Sequence, residues 1–346
     1  MAEKRKRGKS RAQPAAPAAP AAAPDAAPPP AVRIGTRASE LAMRQARMVV
    51  RALAERGVQS ELVTYTTTGD LRLDQPLHGI GGKGLFTQEL EDDLQDGRLD
   101  CAVHSLKDLP TDPPYGIEVC AELPREDPRD ALIVRAGVAA TSVRDLPEGA
   151  KVGTSSLRRR AQLLALRPDL DVVDLRGNVP TRLRKLDDGK VDAAILAAAG
   201  LIRLGLRDRI TAYLDPPEWL PAAGQGVVAL QIRSADDRMR RLAESMHHRP
   251  TAIATRAERT FLDALNGGCQ VPIGALVVAD AGGALTLHGL VADLEGQTVI
   301  RGSRPIDPSD PTVGAMELAD ELLVKGATEI LQYLRQLDKL PAPQPE

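Results

Sequence analysis

Arginines, hydroxyls, one aspartate and one cysteine are the side chains of this sequence whose placement suggests chemistry. Arg33-Ile34-Gly35-Thr36 and Lys151-Val152-Gly153-Thr154 each read as a short strand running into a helix. At such turns in parallel sheets, backbone N–H groups and the positive helix end meet ligands. The first turn offers Arg37 and Ser39; the second offers Thr154, Ser155 and Ser156, then Arg158, Arg159 and Arg160. Arginine this early in a helix opposes the macrodipole, which favours anions at that end. An anionic ligand between the two turns accounts for the cost. Arg176, Asn178 and Arg182 add donors just after the apolar run Asp171–Leu175. A guanidinium meets carboxylate or phosphate as a two-pronged fork, so the ligand is expected to be rich in one of them. Any one of these arginines alone reads as a solvated surface group. Their concentration at strand ends carries the ligand reading.

Asp108 is the opposite signal. It follows the strand-like run Cys101–Val103 and its extension His104-Ser105-Leu106-Lys107. It reads equally as a turn aspartate before Leu109-Pro110 and as an acid–base or cation-stabilising group. His104, inside an apolar run, reads as a buried histidine. Cys101 and Cys120 stand in apolar runs and are expected to be buried and inert. Cys269 stands in a Gly-Gly-Cys-Gln loop, where thiolate chemistry and an idle thiol are both open. No cysteine pair has metal-ligand spacing, so no metal site is expected.

The elements that must position these residues repeat. Gly97-Arg98-Leu99-Asp100-Cys101-Ala102-Val103 has a counterpart in Gly189-Lys190-Val191-Asp192-Ala193-Ala194-Ile195, and the two motif pairs come in the same order. Two related α/β halves follow. Leu41, Gln45, Val49 and Leu53, spaced by four, predict a helix that Gly57 ends, with a strand at Glu61–Tyr65. From first to second motif is 64 residues in one half and 38 in the other. The extra 26 include Thr66–Phe86 and its Gly79-Ile80-Gly81-Gly82-Lys83-Gly84 core, read as a lid over a cleft or an irregular surface loop. It is no Walker A loop, because Gly84 follows Lys83. A helix at about 252–265, strands at 273–278, 284–293 and 298–305, and a last helix at about 311–337 indicate a small α+β third domain.

At 346 residues the chain suggests two or three domains. Residues 1–31 are Lys/Arg-rich, then Ala/Pro-rich, with net charge +4, which leaves −6 on the remainder. The tail is expected to be disordered and to read as a solvated arm, with a nuclear address or nucleic-acid patch as the lesser reading. An acidic body with seven aromatics argues against a nucleic-acid binder. No apolar stretch or leader pattern points to a membrane, and three cysteines do not make a disulfide framework. A reducing, cytoplasmic setting is expected.

Taken together the motifs resemble the hydroxymethylbilane synthase (porphobilinogen deaminase) family. The match rests on Arg33-Ile-Gly-Thr-Arg37, Gly81-Gly-Lys-Gly-Leu-Phe86, His104-Ser-Leu-Lys-Asp108, Arg125-Glu-Asp-Pro-Arg-Asp130, Gly153-Thr-Ser-Ser-Leu-Arg-Arg159, Leu175-Arg-Gly-Asn178, Ala223-Gly-Gln-Gly226 and Gly267-Gly-Cys-Gln-Val-Pro-Ile-Gly274. Departures are Gly35 where many members have Ala, the extra Arg160, and the tail. The resemblance implies two doubly wound, periplasmic-binding-protein-like domains facing across a cleft, plus a small α+β C-terminal domain. Its expected bounds are 32–124 with 226–245, 125–225, and 246–346, after a tail of 1–31.

The resemblance further implies that Cys269 carries a dipyrromethane cofactor through a thioether. Four porphobilinogen units are then joined to it in turn, each losing ammonia, and water releases the linear tetrapyrrole. Each pyrrole brings an acetate and a propionate, so the growing chain is a polycarboxylate. The implied ligands are Arg37, Lys107, Arg158, Arg159, Arg176, Arg182 and Arg203, with Ser39, Ser105, Thr154, Ser155, Ser156 and Gln225. Asp108 is the implied catalytic group, and Lys83 and Phe86 belong to the implied mobile loop. A monomer acting on a small molecule, with no nucleic acid and no membrane, completes the expectation. The alternative is a non-enzymatic carboxylate or phosphate binder with the same cleft.

Overall fold

The computed structural model describes residues 30–67, 87–266 and 271–337. The basic tail, the glycine-rich segment with Lys83 and Phe86, and the loop carrying Cys269 lie outside the described residues.

The first sheet is built from the first half-repeat. Val32–Arg37 (β1) pairs in parallel with Ser60–Tyr65 (β2) and with Cys101–Ser105 (β3). Val228–Arg233 (β10), far along the chain, enters antiparallel between β3 and Ile117–Glu122 (β4). The order is β2-β1-β3-β10-β4.

The second sheet repeats this plan. Lys151–Gly153 (β6) pairs in parallel with Asp171–Val173 (β7) and Ala193–Ala197 (β8). Asp130–Val134 (β5) runs antiparallel between β8 and Ala212–Leu214 (β9). The order is β7-β6-β8-β5-β9. The chain therefore crosses between the sheets twice, before β5 and before β10, and each crossing delivers the antiparallel strand. This is a pair of doubly wound α/β sheets.

The paired registers show how deep the repeat goes. Gly35 lies opposite Ala102, and Gly153 lies opposite Ala194, at equivalent places in the two motif pairs. Each glycine leaves room for a leucine. A Cβ on Gly35 would run into the Leu99 side chain, and one on Gly153 would sit 2.7 Å from Leu175 Cδ2. Close strand–loop packing explains the departure at Gly35.

Glu40–Ala54 (α1) begins at Ser39, whose Oγ accepts from Ala42 N at 3.3 Å, with Glu40 in the first turn and Arg51 in the last. It buries Gln45, Ala46, Val49 and Leu53 against the first sheet. Leu157–Leu166 (α3) follows β6, Val179–Asp187 (α4) follows β7, and Ala198–Arg203 (α5) follows β8. Gln88–Gln95 (α2) and Asp237–Glu244 (α6) flank the first sheet.

The third sheet is an antiparallel meander of Ile273–Ala279 (β11), Leu285–Ala292 (β12) and Val299–Ile306 (β13). Arg249–Ala264 (α7), Pro311–Leu322 (α8) and Thr328–Leu337 (α9) complete the unit. Phe261, Leu287, Leu318 and Leu322 are fully buried between them. Truncating Phe261 to Ala would cost about 3–5 kcal/mol. The last helix, expected to be continuous, is interrupted over Leu323–Ala327, where Gly326 has φ 111°. No described helix is long and apolar enough to cross a membrane.

Candidate active site

On the first sheet the chain leaves β3 through a tight helical turn, Leu106–Asp108, that ends on Asp108. Asp108 lines a cavity of about 70 Å³ together with Arg37, Ser39, Gln45, Thr87, His104 and Ser105. Gln45 Nε2 donates to Ser105 Oγ at 2.8 Å, so α1 aims that hydroxyl. Ser39 uses a lone pair as helix cap and keeps its O–H proton for a ligand. His104 is buried as expected, and burial beside Arg37 pushes its imidazole down to about 3. It is neutral.

The second sheet supplies the cations. Ser156 caps α3 by accepting from Arg159 N at 3.4 Å, and Thr154 Oγ1 accepts from Ser156 N at 3.3 Å. This puts Arg158 and Arg159 in the first turn, both about 95% buried at 5% exposure. Their principal anion belongs to the protein. Arg158 Nη1 meets Asp130 Oδ2 and Arg159 Nη2 meets Asp130 Oδ1, each at 2.7 Å. Arg158 Nη1 also donates to Leu220 O, and Arg159 Nη1 to Ile195 O. Asp130 accepts two further bonds at 2.8 Å, from Trp219 Nε1 and Gln225 Nε2. The two guanidinium groups hold its carboxyl far below the usual range. Removing one partner from so buried a pair costs about 3–5 kcal/mol.

This corrects part of the expectation from sequence. Arginines at that helix start were read as facing an outside anion; half of their fork is spent on Asp130, which the sequence reading did not single out. A signal existed: an aspartate opening the otherwise apolar strand β5 is a buried charge that needs partners. Gln225 departs further. It is fully buried; its amide N–H groups go to Pro128 O and Asp130, and its Oε1 accepts from Lys107 Nζ at 3.2 Å. It links the sheets rather than facing a ligand. Cys120 is half-buried rather than buried, while Cys101 is fully so, and burial lifts its thiol to about 12.

Arg182 and Arg176 lie beside this pair. Arg182 Nε donates to Gly177 O at 2.7 Å, and burial with Arg159 and Arg176 nearby pushes its guanidinium down to about 10, against the pull of Asp108. Burial and the neighbouring Arg159 and Arg158 push Lys107 down to about 8, against Asp108 and Asp130. Asp108 therefore shares its field with cations of both sheets. Arg203, expected at the site, donates through Nη2 to Gly226 O at 2.6 Å, at the second crossing.

Among the described residues, four donor groups of this region are buried without an acceptor: Ser155 Oγ, Arg159 Nε, Arg176 Nη1 and Arg203 Nε. A buried donor left unmet costs about 1–3 kcal/mol. Arg37, Ser39 and Ser105 line the cavity beside Asp108, and Lys107 and Arg182 share its field, so the residues present fit a pyrrole chain with acetate and propionate arms.

Known proteins resemble the chain along most of its length. Residues 32–241 match the family model described as porphobilinogen deaminase, dipyromethane cofactor binding domain, and residues 252–324 match the model of its C-terminal domain. The porphobilinogen deaminase of Syntrophobacter fumaroxidans is 47% identical over 306 residues, covering 88% of this chain and 97% of the relative. That of Syntrophotalea carbinolica is 49% identical over 316 residues, covering 90% of this chain and 98% of the relative. A nutrient-binding protein from Burkholderia cenocepacia bound to methionine is 16% identical with TM-score 0.40, covering 61% of this chain and 89% of that one. A match to the family model over most of the described chain, with relatives near half identical along almost their whole length, establishes that the chain belongs to the porphobilinogen deaminase family.

Proposed function

We propose that the chain joins four porphobilinogen molecules, one at a time and each with loss of ammonia, to a covalently held dipyrromethane, and releases the linear tetrapyrrole by hydrolysis. The observation that carries this reading is the gathering of Lys107, Arg159, Arg176 and Arg182 near one cavity-lining carboxylate, Asp108, in a chain of this family. When bound, the dipyrromethane supplies the pyrrole carbon to which the first substrate ring is attached.

This chain's residues do the rest. Arg37, Ser39 and Ser105 at one edge, with Ser155, Arg176 and Arg182 at the other, bind and orient carboxylate arms. Lys107 adds a donor between the two edges. Asp108 accepts hydrogen bonds from pyrrole N–H groups, stabilises the cation left when ammonia departs, and takes up a proton from the newly joined ring carbon. Neutral His104 adds no charge to compete with it. We divide the chain into domains of 32–124 with 226–245, 125–225, and 246–346. The attachment is a thioether at Cys269, and the enzyme acts as a cytoplasmic monomer.

Intact mass tests this directly. The denatured wild-type protein is expected to exceed its sequence mass by one dipyrromethane, and Cys269→Ala to show the bare mass and no turnover. Substitutions of Cys101 or Cys120 should keep the adduct. An active preparation of unmodified mass would overturn the assignment.

A further inference from the structure

Asp130 stands apart from every group used so far. All of its acceptor positions are taken by side chains: two arginines of α3, and Trp219 and Gln225 from the stretch before β10. Oδ1 receives Arg159 and Gln225; Oδ2 receives Arg158 and Trp219. A buried carboxylate that only offset charge would need one guanidinium. This one holds two, and a neutral amide that reaches across to the other sheet.

We propose that Asp130 is a positioning residue for the reaction: it fixes the two arginines of α3 at the anion site and, through Gln225, seats Lys107 beside Asp108. The inference deepens the functional reading above and rests on it.

The geometry gives each link a consequence. Arg159 is anchored at both ends of its fork, to Asp130 and to Ile195 O, which leaves its buried Nε–H as the donor without an acceptor. Gln225 donates to Pro128 O and to Asp130, so its amide cannot turn over; Oε1 must face Lys107 Nζ. Reversing that amide would set N–H groups against an ammonium. Two guanidinium groups and Lys107 share the single charge of Asp130, so the cluster keeps an excess of positive charge for incoming carboxylates. Lys107 is faced by Asp108 and Asp130, which favour its charged form, and by Arg158 and Arg159, which oppose it.

The test compares Asp130→Asn, Gln225→Leu and Trp219→Phe in the full chain. The readouts are the fraction of protein carrying the dipyrromethane mass, KM against kcat for porphobilinogen, and the pH profile of kcat/KM. Asp130→Asn is expected to lose most of the adduct, and whatever remains loaded should show its alkaline limb at lower pH, because one carboxylate favouring charged Lys107 has gone. Gln225→Leu keeps every charge and guards against a misfolded Asp130→Asn. It is expected to load, with KM raised about tenfold, kcat within about twofold, and the alkaline limb again moved down. Trp219→Phe removes one bond to Asp130 but none to Lys107, so it should raise KM without moving that limb. An adduct on the wild type with wild-type KM and pH profile in Gln225→Leu and Trp219→Phe reduces Asp130 to a folding residue and overturns this proposal alone. A wild type without the adduct overturns the functional reading and this proposal with it.

Discussion

Two aspartates mark the facing edges of the two sheets, and they are opposites. Asp130 opens β5, is fully buried, and has all its acceptor positions filled by protein groups. Asp108 ends the turn after β3, half-buried, on the wall of a cavity, with Lys107 and Arg182 in its field. The same side chain is thus a fixed strut in one place and a working group in the other. Protein donors decide which: a carboxylate already saturated has no lone pair to offer a substrate, whereas one that faces a cavity and a surplus of cations has charge to spend on chemistry.

The largest expected effect falls on the saturated side. Arg158→Leu leaves Asp130 with half its counter-charge in a buried setting and should lose about 3–5 kcal/mol of stability. Denaturant midpoints at neutral pH check it. The acid limb carries the same sign. Because the folded Asp130 carboxyl titrates well below its usual value, its contribution is complete above the unfolded value and is lost only as pH falls toward the folded one. A wild-type midpoint in Arg158→Leu would mean that Asp130 needs no pair, and the contrast between the two carboxylates would break.

Next comes Asp108. Asn also suits such turns, so Asp108→Asn should fold and bind. It loses the charge and the exchangeable proton, and turnover should fall by at least about a hundredfold, the lower end of what general acid–base loss costs. Asp108→Glu should retain more. Single-turnover kinetics on variants supplied with preassembled cofactor isolate elongation. Elongation within a few-fold of wild type in Asp108→Asn would make Asp108 a turn residue.

How much of this was legible in sequence follows the same line. The repeat of Arg33–Thr36 in Lys151–Thr154 predicted two sheets, and the paired glycines fall at equivalent registers, because a parallel strand pair imposes local constraints that residues alone can show. Arg158 and Arg159 are adjacent in sequence and both fall in the first turn of α3. Their partner Asp130 is 28 and 29 residues away on a neighbouring strand, and Gln225 a further 95 residues beyond it. Pairings of that range depend on which strand is inserted antiparallel, and no local pattern in β5 or β10 announces that.

Arg176→Leu sharpens the contrast from the binding side. Arg176 is about nine-tenths buried but has Nη1 without an acceptor, so the folded protein relies on it less than on Arg158. The variant should keep the wild-type denaturation midpoint and lose affinity for a carboxylate-bearing ligand by roughly 2 kcal/mol, or about thirtyfold. Comparing the two leucine variants, one unstable and one stable but weak-binding, tests whether the cluster divides as the structure draws it. Equal losses of stability in both would erase the division.

The smallest effect belongs to Lys107, which sits between the two aspartates. Its ammonium titrates near 8 instead of its usual 10.5. Across that window the unfolded chain binds more protons than the folded one, so stability should rise with pH there. Affinity for an anion runs the other way, because only the charged form attracts it. With a porphobilinogen analogue lacking the aminomethyl group, wild-type binding should weaken by up to about tenfold between about pH 7 and pH 9. Lys107→Met should bind weakly at both and show neither trend. The charge on the ligand does not change over this range, since acetates and propionates are ionised throughout. A wild-type affinity that stays flat to about pH 9.5, or a slope that survives in Lys107→Met, would take Lys107 out of the anion site and leave Asp108 to the field of the second sheet's arginines alone.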